Sequence, residues 1–316
     1  MTRISNLAHS QLIIAEMMKA NQRVATSEMQ VATGKQGQYF KDFADQTSIL
    51  FSTKRIIDRN VHYTQTVTEL KQRLDTQNLN LTGLEDAAGD LRQVVTDAVA
   101  NVSGLSLMDQ IDSVFQHALS MLNTQVNGQY LYGGTRTDTP PVNISSLDDL
   151  SAAPSISSIF DNNDQIPSAI IDDGITVDYG FTASDLGTGI MTALQTIKNF
   201  NDNIPSGINP DGPFGEHLTE AQRTFLEGQI VNLKQIATDA TASSARNGLL
   251  QQQVDATQES LLATKNSAEA FVSDIEDADL PTAISNLQQD QLALQAAARM
   301  VAEIGQMSLL NFLPTG

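Results

Sequence analysis

The residues that could do chemistry are few, and their spacing argues against it. There are four histidines, His9, His62, His117 and His217. A helical metal pair needs two of them four residues apart on one face, and no two stand so. Cysteine is absent, which removes thiolate nucleophiles, disulfides and cysteinyl metal sites. Gly133-Gly134-Thr135 lacks the Gly-Lys-Ser/Thr ending of a phosphate loop. Asp161-Asn162-Asn163-Asp164 hints at calcium, but an EF-hand loop starting at Asp161 needs glycine where Ile166 stands. Asp172-Asp173-Gly174 reads as a turn. Three Asn-x-Ser/Thr triplets, beginning at Asn80, Asn101 and Asn143, read as chance matches to the glycosylation pattern. No Gly-x-Ser-x-Gly elbow is present. The expectation is a chain that is not an enzyme and takes neither metal nor cofactor.

Charge narrows the partners. Eighteen Lys and Arg stand against 37 Asp and Glu, a formal net charge of −19. Such a field repels nucleic acid and anionic membrane surfaces unless a basic patch overrides it. The densest basic runs are only Lys54-Arg55 and Lys71 to Arg73. Tryptophan is absent and aromatics make up 5% of the chain, too few for a stacking platform. Neither a Sec-type leader nor a run of about 18 apolar residues is found. Nucleic acid and membrane are therefore not expected partners, and secretion would need a route without a cleaved signal.

The elements that could position anything are helices. Val67, Leu70, Leu74, Gln77, Leu81, Leu84, Ala88, Leu91, Val95, Ala98 and Val102 step by three and four, and only Gln77 is polar. That is a heptad seam, which requires a partner helix. Partners are expected over 107–126, along Ile111, Val114, Phe115, Ala118, Leu119, Leu122 and Val126, and over about 218–273, along Leu226, Ile230, Leu233, Ala237, Ala240, Val254, Leu261, Ala268 and Val272. Between them the grammar changes. Residues 136–185 hold nine Asp, one Arg and four prolines, with no Lys or Glu, a local charge of −8. Short β-branched runs there predict a small, mostly β insert. A helix over 186–203 returns the chain.

Both ends are amphipathic. Ile4, Leu7, Gln11, Ile14, Met18, Asn21 and Ala25 form one heptad seam; Leu280, Ile284, Leu287, Gln291, Leu294, Ala298 and Val301 form another. Leu309, Leu310, Phe312 and Leu313 extend the apolar C-terminus. Chain ends are ordinarily frayed and polar. Two readings stay open: a coiled-coil lid on the chain's own core, or surfaces that stick to other copies. On the second, the large apolar residues of both seams and of the C-terminal extension are intersubunit contacts, and Gln11 and Gln291 set register.

The expected fold is mainly α: an elongated antiparallel helical bundle with coiled-coil termini and a small β-rich insert. Its parts are a terminal assembly domain (1–42 plus 276–316), a helical rod (43–135 plus 186–275) and the acidic outer insert (136–185).

The run from Asp274 to Asp279, then Ala283 to Leu287, Leu292 to Ala297 and Ser308 to Leu313, resembles the C-terminus of the bacterial flagellin family, which includes the hook–filament junction proteins. Arg3 to Ser5 and Val31 to Lys35 resemble the matching N-terminal region. Ser244-Ala245-Arg246-Asn247-Gly248 resembles a small-residue–Arg–Asn segment of these families. Asn127 to Thr135, followed by Asp138 to Pro141, resembles a stretch that the junction members carry and flagellins usually lack. After Gly34 the chain departs from the family, with Lys41 to Gln46 in place of an acidic stretch ending in Ala or Pro. The resemblance implies a structural, self-assembling part of the flagellum that joins hook to filament. It implies type III export, and as partners other copies, a second hook-associated protein, flagellin and an export chaperone. Filament flagellin is the alternative within the family. A secreted type III effector and a cytosolic coiled-coil scaffold are the alternatives outside it.

Overall fold

The computed structural model describes residues 2–43 and 45–310, with side chains over 11–43 and 45–303. Among these, seven helices dominate: α1 (Thr2–Thr33), α2 (Thr47–Asn101), α3 (Leu107–Leu122), α4 (Leu147–Ala152), α5 (Ala183–Asn201), α6 (Glu220–Glu276) and α7 (Leu280–Leu310). Two antiparallel hairpins complete it, β1 (Gln125–Val126) with β2 (Gln129–Tyr130) and β3 (Ser168–Asp172) with β4 (Ile175–Asp178). The fold is mainly α, as the helical periodicity predicts. The chain forms two compact units, one of residues up to 59 and from 263 onward, the other of residues 60–262.

The second unit is built on the α2 seam. Val67, Leu70, Leu74, Gln77, Leu81, Leu84, Ala88, Leu91, Val95 and Ala98 are all buried. The seam ends there: Val102 lies past the helix end, 38% exposed, with a left-handed φ of 50°. It caps the turn into α3 instead of extending the stripe. α6 runs antiparallel to α2. Lys71 pairs with Asp255 at 2.6 Å, Gln251 donates to Asp75 at 2.9 Å, and Thr241 donates to Glu85 at 2.8 Å. Leu226, Leu233, Val254 and Leu261 of α6 are buried. α3 contributes Leu107, Ile111, Phe115, Ala118 and Leu122, and α5 contributes Ile190, Met191, Leu194 and Ile197. α4 and α5 each begin with a reciprocal capping box, Ser146 with Asp149 and Thr182 with Asp185.

The acidic segment is woven into this core. Val142, Leu147, Leu150, Ile159 and Phe181 share one apolar cluster with α2, α3 and α5. Ile171 and Val177, from β3 and β4, join a second cluster with Val67, Leu70, Leu74, Val254 and Leu261. The Asp173-Gly174 turn is present, with Gly174 at φ 74° as the tight reversal requires. The β content is this nine-residue hairpin; the rest is α4, a 3-10 turn at Ile156–Ile159 and extended chain.

Candidate assembly surface

In the first unit, α1 and α7 lie antiparallel. Arg23 Nε donates to Asp290 at 3.0 Å and Ser27 Oγ donates to the same carboxylate at 3.3 Å. Further along, Lys35 bonds Asp277. Ala20, Val24 and Ser27 are buried on α1 and Ala283 on α7. Ile13, Met17 and Val31 are half-buried on the same α1 face. Leu287, Leu294, Ala297 and Val301 are half-buried on the Ala283 face of α7.

The packed α1 face is therefore the stripe one position away from the Ile4-to-Ala25 seam read in the sequence. Small side chains at Ala20, Ser27, Ala283 and Ala297 let the two helices approach closely, so the bulky residues of α1 are left outside. Ile14 is 43% exposed and Met18 66%. On α7, Leu280 and Ile284 are exposed at 43% and 45%, while Leu287, Leu294 and Val301 serve the pairing itself. Gln11 and Gln291 are exposed. The polar residue that bonds across this pair is Asp290, the neighbour of Gln291. The side chains of Ile4, Leu7, Leu309 and Leu310 lie outside the described residues, as do Phe312 and Leu313 altogether. The sequence reading also missed Leu12, Leu292 and Met300, exposed at 63%, 66% and 51%. Their signal was available: each is a large apolar residue off the small-residue face.

A clasp closes one end of the pair. Gln36 N donates to Glu276 O at 2.7 Å and Ala278 N donates to Gly34 O at 2.8 Å. Lys35 bonds Asp277, and Lys54 of α2 bonds Glu276. The departing stretch, Lys41 to Gln46, includes a 3-10 turn at Phe40–Phe43, which Asp42 caps by accepting from Gln38 N and Tyr39 N at 3.0 Å. Lys54 and Lys41 lie over the rings of Phe40 and Tyr39.

The clasp titrates predictably. The hydrogen bond from Lys35, then that from Ser273, hold the Asp277 carboxyl below its ordinary value of 3.8. The bond to Asp277 raises the Lys35 ammonium above 10.5. A depressed acid stabilises the fold above its ordinary value, and that contribution is lost as pH falls through the folded one. A raised base contributes below its ordinary value and loses it as pH rises through the folded one. The clasp is thus insensitive between roughly pH 4 and 10. An NMR titration of the Asp277 carboxyl should show a midpoint that moves up in Lys35→Ala. An unmoved midpoint removes Lys35 as the cause.

Charge is unevenly divided. The first unit carries ten Lys and Arg against twelve Asp and Glu, the second eight against 25, so the nets are −2 and −17. An almost neutral unit with exposed aliphatics is able to associate. A unit at −17 favours water.

His62, His117 and His217 are exposed, and the side chain of His9 lies outside the described residues. No three metal-ligating side chains cluster among the described residues. One groove, about 600 Å³, is an open polar furrow lined by Lys19, Arg23, Asn286 and Asp290. No described helix is long and apolar enough to cross a membrane.

Residues 230–313 match the family model of the bacterial flagellin C-terminal helical region. No curated protein matches the chain. Among solved structures, the fold is similar to a protein from Vibrio parahaemolyticus assigned as flagellar hook-associated. Identity is 16% over 72% of this chain and 96% of that one, with a TM-score of 0.57. It is also similar to FlgL from Bacillus cereus, at 12% identity over 71% of this chain and 99% of that one, TM-score 0.53.

Proposed function

We propose, starting from a chain that carries a flagellin C-terminal helical region, that this protein is a structural subunit of the bacterial flagellum, joining hook to filament as hook-associated protein 3. The observation that carries the reading is the split between its units. Large aliphatic residues at Leu12, Met18, Leu292 and Met300 stay exposed on a nearly neutral helix pair. Exposed apolar surface at that density is a binding surface, and the near-absence of net charge there lets identical copies approach. The strongly acidic unit is suited to face solvent. The chain works by association and not by catalysis. Its partners are neighbouring copies, a second hook-associated protein and flagellin, with a chaperone before type III export. The similarity in fold to two flagellar hook-associated structures and the Gly128 to Thr135 stretch favour the junction over the filament.

A null mutant separates those two. If the chain is the junction subunit, the mutant still makes hooks but releases flagellin into the medium and builds no filament. If the mutant instead lacks the bulk filament subunit, and complementation restores it, the chain is a flagellin.

A further inference from the structure

Three sequence features have no part in the assembly surface: the lone polar seam residue Gln77, the Ser244 to Gly248 run, and the Gly128 to Thr135 run. They lie along residues 74–80 of α2 and the segments bonded to that stretch in the second unit. Asn247 Nδ2 donates to Leu74 O at 3.0 Å, one turn from Gln77. Thr124 Oγ1 donates to Asn80 Oδ1 at 3.3 Å, and Leu131 N donates to Thr124 O at 3.0 Å, which brings Tyr132 to the same stretch. Ala183 N donates to Tyr132 O at 2.9 Å and ties the start of α5 to it. Tyr132 and Asn247 are fully buried, Gln77 is 1% exposed and Asn80 5%.

Six buried side-chain polar atoms among the described residues have no hydrogen-bond partner in the protein. Five are here: Gln77 Oε1, Asn80 Nδ2, Tyr132 Oη, Ser244 Oγ and Asn247 Oδ1. The Tyr132 hydroxyl and the Asn80 amide lie close enough to interact with each other, but that contact leaves the Gln77, Ser244 and Asn247 atoms unpaired. An unpaired buried polar atom is costly, and several in one unit would weigh heavily against a marginal fold. The set mixes carbonyl acceptors with amide and hydroxyl donors and includes no charge. The nearby Arg246 guanidinium is engaged over the Phe181 ring, 5.3 Å from its centre. An anion would be repelled by the two carbonyls and a cation by the amide hydrogens. The smallest neutral group that both donates and accepts is water, which typically makes about three bonds at such sites.

We propose that Gln77, Asn80, Tyr132, Ser244 and Asn247 form an internal hydration site, in which bound water joins α2, α6 and the loop before the acidic segment. Bound waters donate to Gln77 Oε1 and Asn247 Oδ1 and accept from the Tyr132 and Ser244 hydroxyls and the Asn80 amide, each making about three bonds. Burial holds the Tyr132 hydroxyl above its ordinary range, so it remains a donor. The single polar break in the α2 seam then has a purpose: a leucine at 77 would strand the oxygen of Asn247.

A crystal structure of the full chain at better than about 2 Å tests the site directly. It should show at least one ordered water within about 2.6–3.2 Å of two or more of the five atoms. Finding them bonded to one another or to backbone, with no water between, overturns the proposal. Thermal melting supplies a second test. Gln77→Leu and Tyr132→Phe should each lower the melting temperature by roughly 3–8 °C, and the double variant should lose clearly less than the sum, because both act on shared water. Additive losses would show that the groups are independent and would overturn it too.

Discussion

Met18→Asp or Leu292→Asp leaves the melting temperature of the free chain within about 2 °C of the parent and abolishes its incorporation into polymer. Both side chains are 66% exposed and lie off the face that pairs α1 with α7. Surface changes of that kind alter stability by about 0.5 kcal/mol or less. In a polymer that covers the stripe, the same carboxylate becomes a buried, unpaired charge that costs several kcal/mol. Each ~1.4 kcal/mol is a factor of ten in an association constant, so a cost of about 3 kcal/mol weakens every subunit contact more than 100-fold. Circular dichroism melting beside immunolabelling of hook tips reads both quantities. Val231→Asp is the control: Val231 is 70% exposed but belongs to the acidic unit, and it should incorporate normally. Leu287→Asp and Leu294→Asp test something else. Those residues are half-buried on the pairing face, so they should also reduce helix content in the first unit. If Met18→Asp and Leu292→Asp both polymerise like the parent, the exposed stripe is not the assembly surface.

The α2 seam was legible because it is written in large aliphatics at strict heptad spacing, and a stripe of leucines has only one way to be buried. The α1 face that packs on α7 was not legible for the complementary reason. Its contact residues are Ala20, Ser27 and their neighbours, which carry little hydrophobic weight, while the heavier Ile14 and Met18 beside them repeat with the same period. Hydrophobic period shows that a helix has a stripe; side-chain volume decides which of two adjacent stripes touches a helix at close range. Gln77 was visible as an interruption, but its meaning was not. Its companions Tyr132 and Asn247 stand 55 and 170 positions away in the chain, and only the folded topology brings them together. What the acidic segment packs against was the least legible. Its prolines, aspartates and broken periodicity describe its local conformation and say nothing of where Leu150 or Ile171 are buried.

Deletion of residues 136–185 is therefore expected to unfold the second unit. As a local pattern the segment looks removable, an outboard insert on a bundle that would survive without it. In the fold it supplies Val142, Leu147, Leu150, Ile159, Ile171, Val177 and Phe181, each 7% exposed or less. Burying a large apolar side chain is worth roughly 1.5–3 kcal/mol, so losing these seven removes about 10–20 kcal/mol. That matches or exceeds the whole stability of an ordinary domain, about 5–15 kcal/mol. The faces of α3 and α5 that they cover would also open to water. The deleted chain should lose its cooperative thermal transition and bind a hydrophobic dye at 25 °C. A smaller deletion shows whether burial or mere length is responsible. Tyr179 N donates to Pro167 O at 2.9 Å, so residues 168–178 can be replaced by a short linker with little strain. That change removes only Ile171 and Val177 from the core, costs about 3–6 kcal/mol, and should lower the melting temperature by roughly 6–20 °C while the transition stays cooperative. Should the 136–185 deletion melt cooperatively within a few degrees of the parent, the segment is an independent appendage and its buried leucines contribute little to the bundle.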